Sequence, residues 1–252
     1  GLCRHPRKRL SQTEGTHLMR YAIQWLRSLL FVAQMYVAIV LIMLAYTPLA
    51  LVNRSASLRW MQLYARWVRF SARVLVGLHT EIRGTVPNEA ALIASKHQSM
   101  LDSVILISAL PAPRFIMKKQ LSWIPVAGWH ALRAGFVAVD RGKRGSAIKK
   151  MLADVESGST GPGQLIIYPQ GTRTAPGKYL PYKKLDQPCI PVATNVGVFW
   201  PRHGIYRKPG LALIEFLPAI PPGLSNDAFM TQLETSVESA SNRLMAEAGF
   251  KS

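Results

Sequence analysis

From residue 79 onward the chain alternates short apolar runs with stretches whose apolar positions recur every three or four residues. The runs at 80–83, 91–95, 114–117, 136–139, 164–168, 190–194 and 211–216 predict strands. Helical spacing predicts helices at 101–110, 145–156 and 227–248, the last opening on an Asn or Asp cap. Strands interleaved with helices imply an α/β fold, a mixed sheet covered by helices on both faces.

The first third reads differently. Residues 1–20 are basic and irregular in pattern, with Arg7-Lys8-Arg9 followed by polar positions, and Met19 opens a more regular stretch. Residues 1–18 therefore read as a basic upstream extension, 19–78 as an N-terminal membrane-associated helical unit and 79–252 as the α/β domain. No charge occurs from Ser28 to Val52, long enough for a helix to cross the hydrocarbon core at about 1.5 Å per residue. Arginines flank this run on both sides, so the charge rule gives no orientation, and Pro48 is a place to bend or end the helix. A true span and a re-entrant element both remain open.

Downstream, Arg59, Arg66, Arg69 and Arg73 fall within roughly an 80° arc at about 100° per residue, while Trp60, Leu63, Tyr64 and Val74 lie largely elsewhere. This predicts a basic amphipathic helix, either a charged face over a core or an interfacial helix whose arginines meet lipid phosphates.

Charge narrows the partners. With 31 Lys and Arg against 13 Asp and Glu, the chain attracts polyanions. The apolar N-terminal run and the lack of a recognisable nucleic-acid module favour an anionic membrane surface over nucleic acid. Cys3 and Cys189 imply no disulfide framework, and no metal-ligand spacing is present, which fits a reducing compartment. Cys189, just before a predicted strand, reads as a small buried apolar residue.

The candidate chemistry lies in four ordered motifs: His97-Gln-Ser-Met-Leu-Asp102, Gly135-Phe-Val-Ala-Val-Asp-Arg141, Tyr168-Pro-Gln-Gly-Thr-Arg173 and Ile190-Pro-Val-Ala-Thr-Asn195. His97 follows a predicted strand, at the carboxyl edge where open α/β sheets bind ligands. Five residues on a regular helix would turn His97 and Asp102 about 140° apart, so they meet only if His97 lies in the turn and Asp102 in the first helical turn. There the carboxylate fixes one imidazole nitrogen and leaves the other free as a general base. Arg141 and Arg173 also follow strands, Lys118 or Lys119 adds a cation, and Gly171 permits close backbone approach. Together with Gln170 and Thr172 they form a candidate anion-binding rim.

In these motifs the chain resembles the lysophosphatidic acid acyltransferases of the glycerolipid acyltransferase superfamily, across about residues 20–250. The segments Lys118-Lys-Gln-Leu-Ser-Trp-Ile-Pro-Val-Ala-Gly128 and Val198-Phe-Trp-Pro-Arg202 extend the likeness. The resemblance implies that His97 deprotonates the acceptor hydroxyl, that Asp102 orients it, and that Arg141, Arg173 and Lys118 hold the acceptor phosphate. It implies a lysophospholipid acceptor and an acyl thioester donor carried by coenzyme A or acyl carrier protein, with no metal and no resident cofactor. The expected place is the cytoplasmic face of the cell membrane. Acylation of another lyso-lipid such as lyso-ornithine lipid, or a non-catalytic lipid-binding role, are the competing expectations.

Two departures from the family pattern stand out. Gln170 occupies the position of the usual glutamate: if that carboxylate serves mainly to position backbone and neighbouring cations, the amide carbonyl oxygen can substitute, and if its charge is essential, activity or acceptor preference changes. Lys183-Lys184 runs straight into Leu185, where the family has a further apolar helix, and residues omitted at that junction are the expected reason.

Overall fold

The computed structural model describes residues 7–139, 163–182 and 189–251, with the backbone path alone for 7–14. In chain order these form α1 (Arg7–Val52), α2 (Ser55–Ser71), a π-helical turn (Ala72–Val76), β1 (Leu78–Arg83), β2 (Ala91–Ser95), α3 (Met100–Ala109) and β3 (Pro113–Lys118). A 3₁₀ turn (Lys119–Trp123), α4 (Ala127–Arg133), β4 (Val137–Val139), β5 (Gln164–Ile167), β6 (Ile190–Thr194), β7 (Gly210–Phe216) and α5 (Asn226–Glu247) follow. The predicted helix at 145–156 and the Lys184–Leu185 junction lie outside the described residues.

The strands form one sheet in the order β1-β7-β6-β2-β5-β3-β4. Every neighbouring pair is parallel except β6 with β7, so the sheet is mixed. Alternation divides each central strand between two cores. Ile93 and Ile166 join Leu101, Ile105 and the N-terminal helices on one face. Leu92, Ala94, Leu165 and Ile167 meet Phe229, Leu233 and Val237 of α5 on the other.

Helix α1 departs from expectation at both ends. It is already helical from Arg7, where an irregular segment was expected; no proline interrupts it before Pro48, and Arg, Lys, Leu and Gln favour propagation toward the N-terminus. Pro48 does not end it either, and the helix runs on to Val52. One edge of α1 lies sealed along the protein, with Gln24, Ser28, Phe31, Met35 and Ala50 buried. Polar bonds fix this edge. Gln24 Nε2 donates to the carbonyls of Val76 (3.0 Å) and Arg207 (2.8 Å), Ser28 Oγ accepts the Arg207 amide (2.9 Å), and Gln34 Nε2 donates to Ser71 Oγ (3.0 Å). Leu30, Val37, Leu41, Leu44 and Leu51 remain exposed along the outer edge.

The basic face of α2 also needs correction. Arg59, Arg66 and Arg73 are exposed, but Arg69 turns inward, donating to Thr80 Oγ1 on β1 (2.8 Å) and Ser108 Oγ on α3 (2.9 Å). Two buried-side hydroxyls claim its guanidinium, a tertiary pull that helical spacing does not encode. Leu63, Trp67, Phe70 and Val74 are exposed instead, and at about 100° per residue they form a stripe directly beside the remaining arginines. Trp60, seven residues before Trp67 and on nearly the same side of the helix, is buried. Gly77, at φ +69°, releases the chain from the π-helical turn into β1.

Candidate active site

All five parallel strands from β6 to β4 end at one edge of the sheet, and the candidate residues that are described sit there. At the end of β2 two neighbours go to opposite faces. Lys96, enclosed, places Nζ 2.5 Å from Glu238 Oε2 of α5, and Glu238 Oε1 accepts the Tyr182 hydroxyl at 2.9 Å. His97 turns instead toward α3.

Helix α3 begins just beyond, with Ser99 as its N-cap and Asp102 closing a capping box. Asp102 Oδ2 accepts the backbone N–H of Gln98 and of Ser99, each at 2.7 Å, and lies 3.1 Å from His97 Nδ1. Its Oδ1 accepts from Thr194 Oγ1 at 3.1 Å. The carboxylate has no solvent exposure. Because a carboxylate only accepts, His97 Nδ1 carries the hydrogen, and Nε2, without a hydrogen-bond partner among the described residues, is left with its lone pair.

The third motif folds back over this pair. Pro169 and Gln170 make a tight turn in which the Gly171 N–H donates to the Tyr168 carbonyl at 2.8 Å, and Gly171 sits at φ +74°, a backbone conformation a side chain would strain. Three residues on, the Thr174 N–H donates to the carbonyl of His97 itself at 2.7 Å. The turn carrying Thr172 and Arg173, both half-buried, is thereby pinned to the base. The Arg173 carbonyl accepts from Arg202 Nη1 at 3.4 Å, and its guanidinium has no carboxylate partner among the described residues. Lys118 ends β3 exposed, in register with Val139 of β4. Arg141, two residues past that strand, lies outside the described residues.

Gln170 behaves otherwise than expected. Its amide nitrogen, not its carbonyl oxygen, makes the bond, donating to the Leu180 carbonyl at 3.0 Å, while Oε1 is buried without a hydrogen-bond partner among the described residues. A carbonyl partner demands a donor, which a carboxylate does not supply.

Sequence reasoning missed the surroundings of Asp102. Thr194 was visible only as part of the fourth motif, with no role attached, and the two backbone amides carry no residue-type signal. Cys189 is buried and free, and burial pushes its thiol up to about 12, far from the thiolate a nucleophile needs.

Residues 78–184 match the family model described as Acyltransferase. A 1-acyl-sn-glycerol-3-phosphate acyltransferase of Pseudomonas aeruginosa is 26% identical over 194 residues, covering 72% of this chain and 76% of the relative. The mouse 1-acyl-sn-glycerol-3-phosphate acyltransferase alpha is 28% identical over 171 residues, 62% of this chain and 59% of the mouse protein. In three dimensions the chain resembles the crystal structure of the 1-acyl-sn-glycerophosphate acyltransferase of Thermotoga maritima, with a TM-score of 0.70 at 18% identity, covering 88% of this chain and 98% of that one. At that identity the likeness speaks for the fold. The matched model and these relatives make the chain similar to acyltransferases, among them proteins named for 1-acyl-sn-glycerol 3-phosphate.

Proposed function

We propose that the protein transfers a fatty acyl group from a thioester of coenzyme A or acyl carrier protein to the free hydroxyl of lysophosphatidic acid, giving phosphatidic acid. The observation that carries this reading is the His97–Asp102 pair, with Nδ1 engaged and Nε2 without a hydrogen-bond partner among the described residues, roofed by the turn that bears Arg173. In the reaction Nε2 takes the proton of the acceptor hydroxyl as its oxygen attacks the thioester carbonyl. The C–S bond then breaks, and the imidazolium returns the proton to the departing thiolate. Asp102 keeps the imidazole in the required tautomer throughout. Arg173, with Lys118 and Arg141, supplies charge-assisted donors to the acceptor phosphate. A purely lipid-binding protein would have no use for a carboxylate with four hydrogen-bonding partners behind a histidine.

The N-terminal helices favour a membrane-surface enzyme over a spanning one. Helix α1 is sealed to the body along one edge from Gln24 to Ala50, so a span would drag the sheet into the bilayer with it. An apolar outer edge on α1, together with Trp67, Phe70 and the exposed arginines of α2, suits a helical pair lying in the headgroup region of an anionic leaflet. Soluble thioester donors and anionic lipids make the cytoplasmic leaflet the fitting one.

The test is a panel of lyso-lipids with a labelled acyl thioester. His97→Ala should lower turnover by about 10²–10⁴-fold with less effect on acceptor binding. Arg173→Ala should weaken use of the phosphorylated acceptor by an amount equivalent to about 1.5–3 kcal/mol, sparing an acceptor without phosphate. Undiminished turnover in folded His97→Ala would remove the base, and equal losses on both acceptors would remove Arg173 as the phosphate reader.

A further inference from the structure

His97 is held on two sides, and only one of them is the carboxylate. The ring of Tyr168 lies against the imidazole with centroids 3.9 Å apart and planes 14° from parallel. Tyr168 is the first residue after β5, the strand beside β2, so adjacent parallel strands deliver the two rings side by side. The phenol is itself fixed: its hydroxyl and Ser103 Oγ lie 2.7 Å apart, and Ser103 follows Asp102 on α3. Tilted contacts with Phe115, and from Phe115 to Phe136, support it from behind. One short piece of α3 thus sets both constraints, the carboxylate through Asp102 and the aromatic plate through Ser103.

From this geometry we infer that Tyr168 is a positioning residue for the general base: its ring fixes the plane of the His97 imidazole and its π-face stabilises the imidazolium formed when Nε2 takes the acceptor proton. The inference rests on the reading of His97 as the base. Asp102 restrains the imidazole at one nitrogen alone, which leaves rotation about that hydrogen bond, and a parallel ring at van der Waals distance removes it. The negative face of an aromatic ring attracts a cation more than a neutral group, so the contact strengthens as the proton arrives. That is the differential stabilisation that raises turnover rather than affinity. The hydroxyl serves only to hold the ring, so phenylalanine should suffice for the chemistry.

Three variants of the full chain in detergent or liposomes separate these roles. Tyr168→Phe keeps the plate and should retain kcat within about threefold. Tyr168→Leu removes it and should lower kcat by about 10–100-fold, leave KM for the lyso-lipid within about threefold, and move the acid limb of the kcat/KM profile to lower pH, because the imidazolium is less favoured. Should the leucine variant not fold, Tyr168→Met fills the same space without a π-face and carries the same expectation. Placed in the His97→Ala background, loss of the ring should change the residual rate by less than twofold, since Tyr168 acts through the imidazole. The inference is overturned if the folded leucine or methionine variant keeps the parent kcat and pH profile, if Tyr168→Phe loses as much as they do, or if the loss falls on KM. It is also overturned if the full loss persists without His97. A fully active His97→Ala would instead overturn the base assignment on which it rests, so the two failures are told apart.

Discussion

Thr194→Val offers the sharpest measure of how the Asp102 carboxylate is held. Thr194 is fully enclosed, and its hydroxyl lies 3.1 Å from Asp102 Oδ1 and 3.0 Å from the Leu213 carbonyl, while accepting the Val196 N–H at 3.2 Å. Valine matches the shape and removes all three contacts. A hydrogen bond to a charged group contributes about 1.5–3 kcal/mol, and the stranded Val196 amide costs about 1–3 more; with partial relaxation the loss should be about 2–4 kcal/mol. For a chain of this size that lowers the midpoint of thermal unfolding by about 5–15 °C. Turnover should suffer less, about 3–10-fold, because Oδ2 keeps both backbone amides and His97. Thr194→Ser should restore most of both. Thermal unfolding in detergent and steady-state turnover at a temperature where every variant is folded provide the readouts. An unfolding midpoint unchanged in Thr194→Val would show that the hydroxyl contributes nothing to stability. Turnover as low as that of His97→Ala would show that Oδ1, not the paired amides, orients the base.

Two further outcomes follow from the helices. Replacing Trp67 and Phe70 together by glutamine should reduce binding to anionic vesicles by an order of magnitude and lower activity there more than in neutral micelles; equal losses in both would assign the stripe to packing. His130 is enclosed between Thr47 Oγ1 (3.1 Å from Nε2) and Ser57 Oγ (2.9 Å from Nδ1), and burial, then nearby Arg133, pushes its pKa below the ordinary histidine value. The unfolded chain therefore binds the proton first, so stability should be flat above about pH 6.5 and fall below it, by up to about 1.4 kcal/mol per pH unit until the folded-state value is reached. Unfolding midpoints of the parent and His130→Gln at pH 7.5 and 5.5 test this, and an equal acid loss in both would assign it to other groups.

The sheet was legible because its central strands are apolar on both faces: 91–95 and 190–194 need no tertiary information to be read as buried strands. The His97–Asp102 juxtaposition was legible too, since only a turn followed by a helix start reconciles that spacing. What surrounds the carboxylate was not. Its donors besides His97 are two main-chain amides and a threonine 92 positions away, and neither local pattern nor residue type encodes such a partnership. Arg69 failed for a related reason: a helical wheel gives relative angles, but which side faces the protein depends on hydroxyls contributed by β1 and α3. The role of Gln170 turned on which end of its amide meets Leu180, a question of chain path rather than composition.

The way α1 is fastened changes what the N-terminal segment is for. Gln24, Ser28 and Gln34 tie it to main chain and side chains of the folded body, and Phe31 and Met35 belong to the same core as Ile93 of β2 and Leu101 of α3. It is a hull plank, not a mooring line. Cutting it away would not free a soluble catalytic fragment but would uncover the interior beneath the helix that carries Asp102. On the membrane-surface reading proposed above, anyone handling this enzyme must cover that outer edge with detergent, nanodisc or amphipol, because the boundary between apolar surface and catalytic core runs along the length of a single helix rather than across the chain.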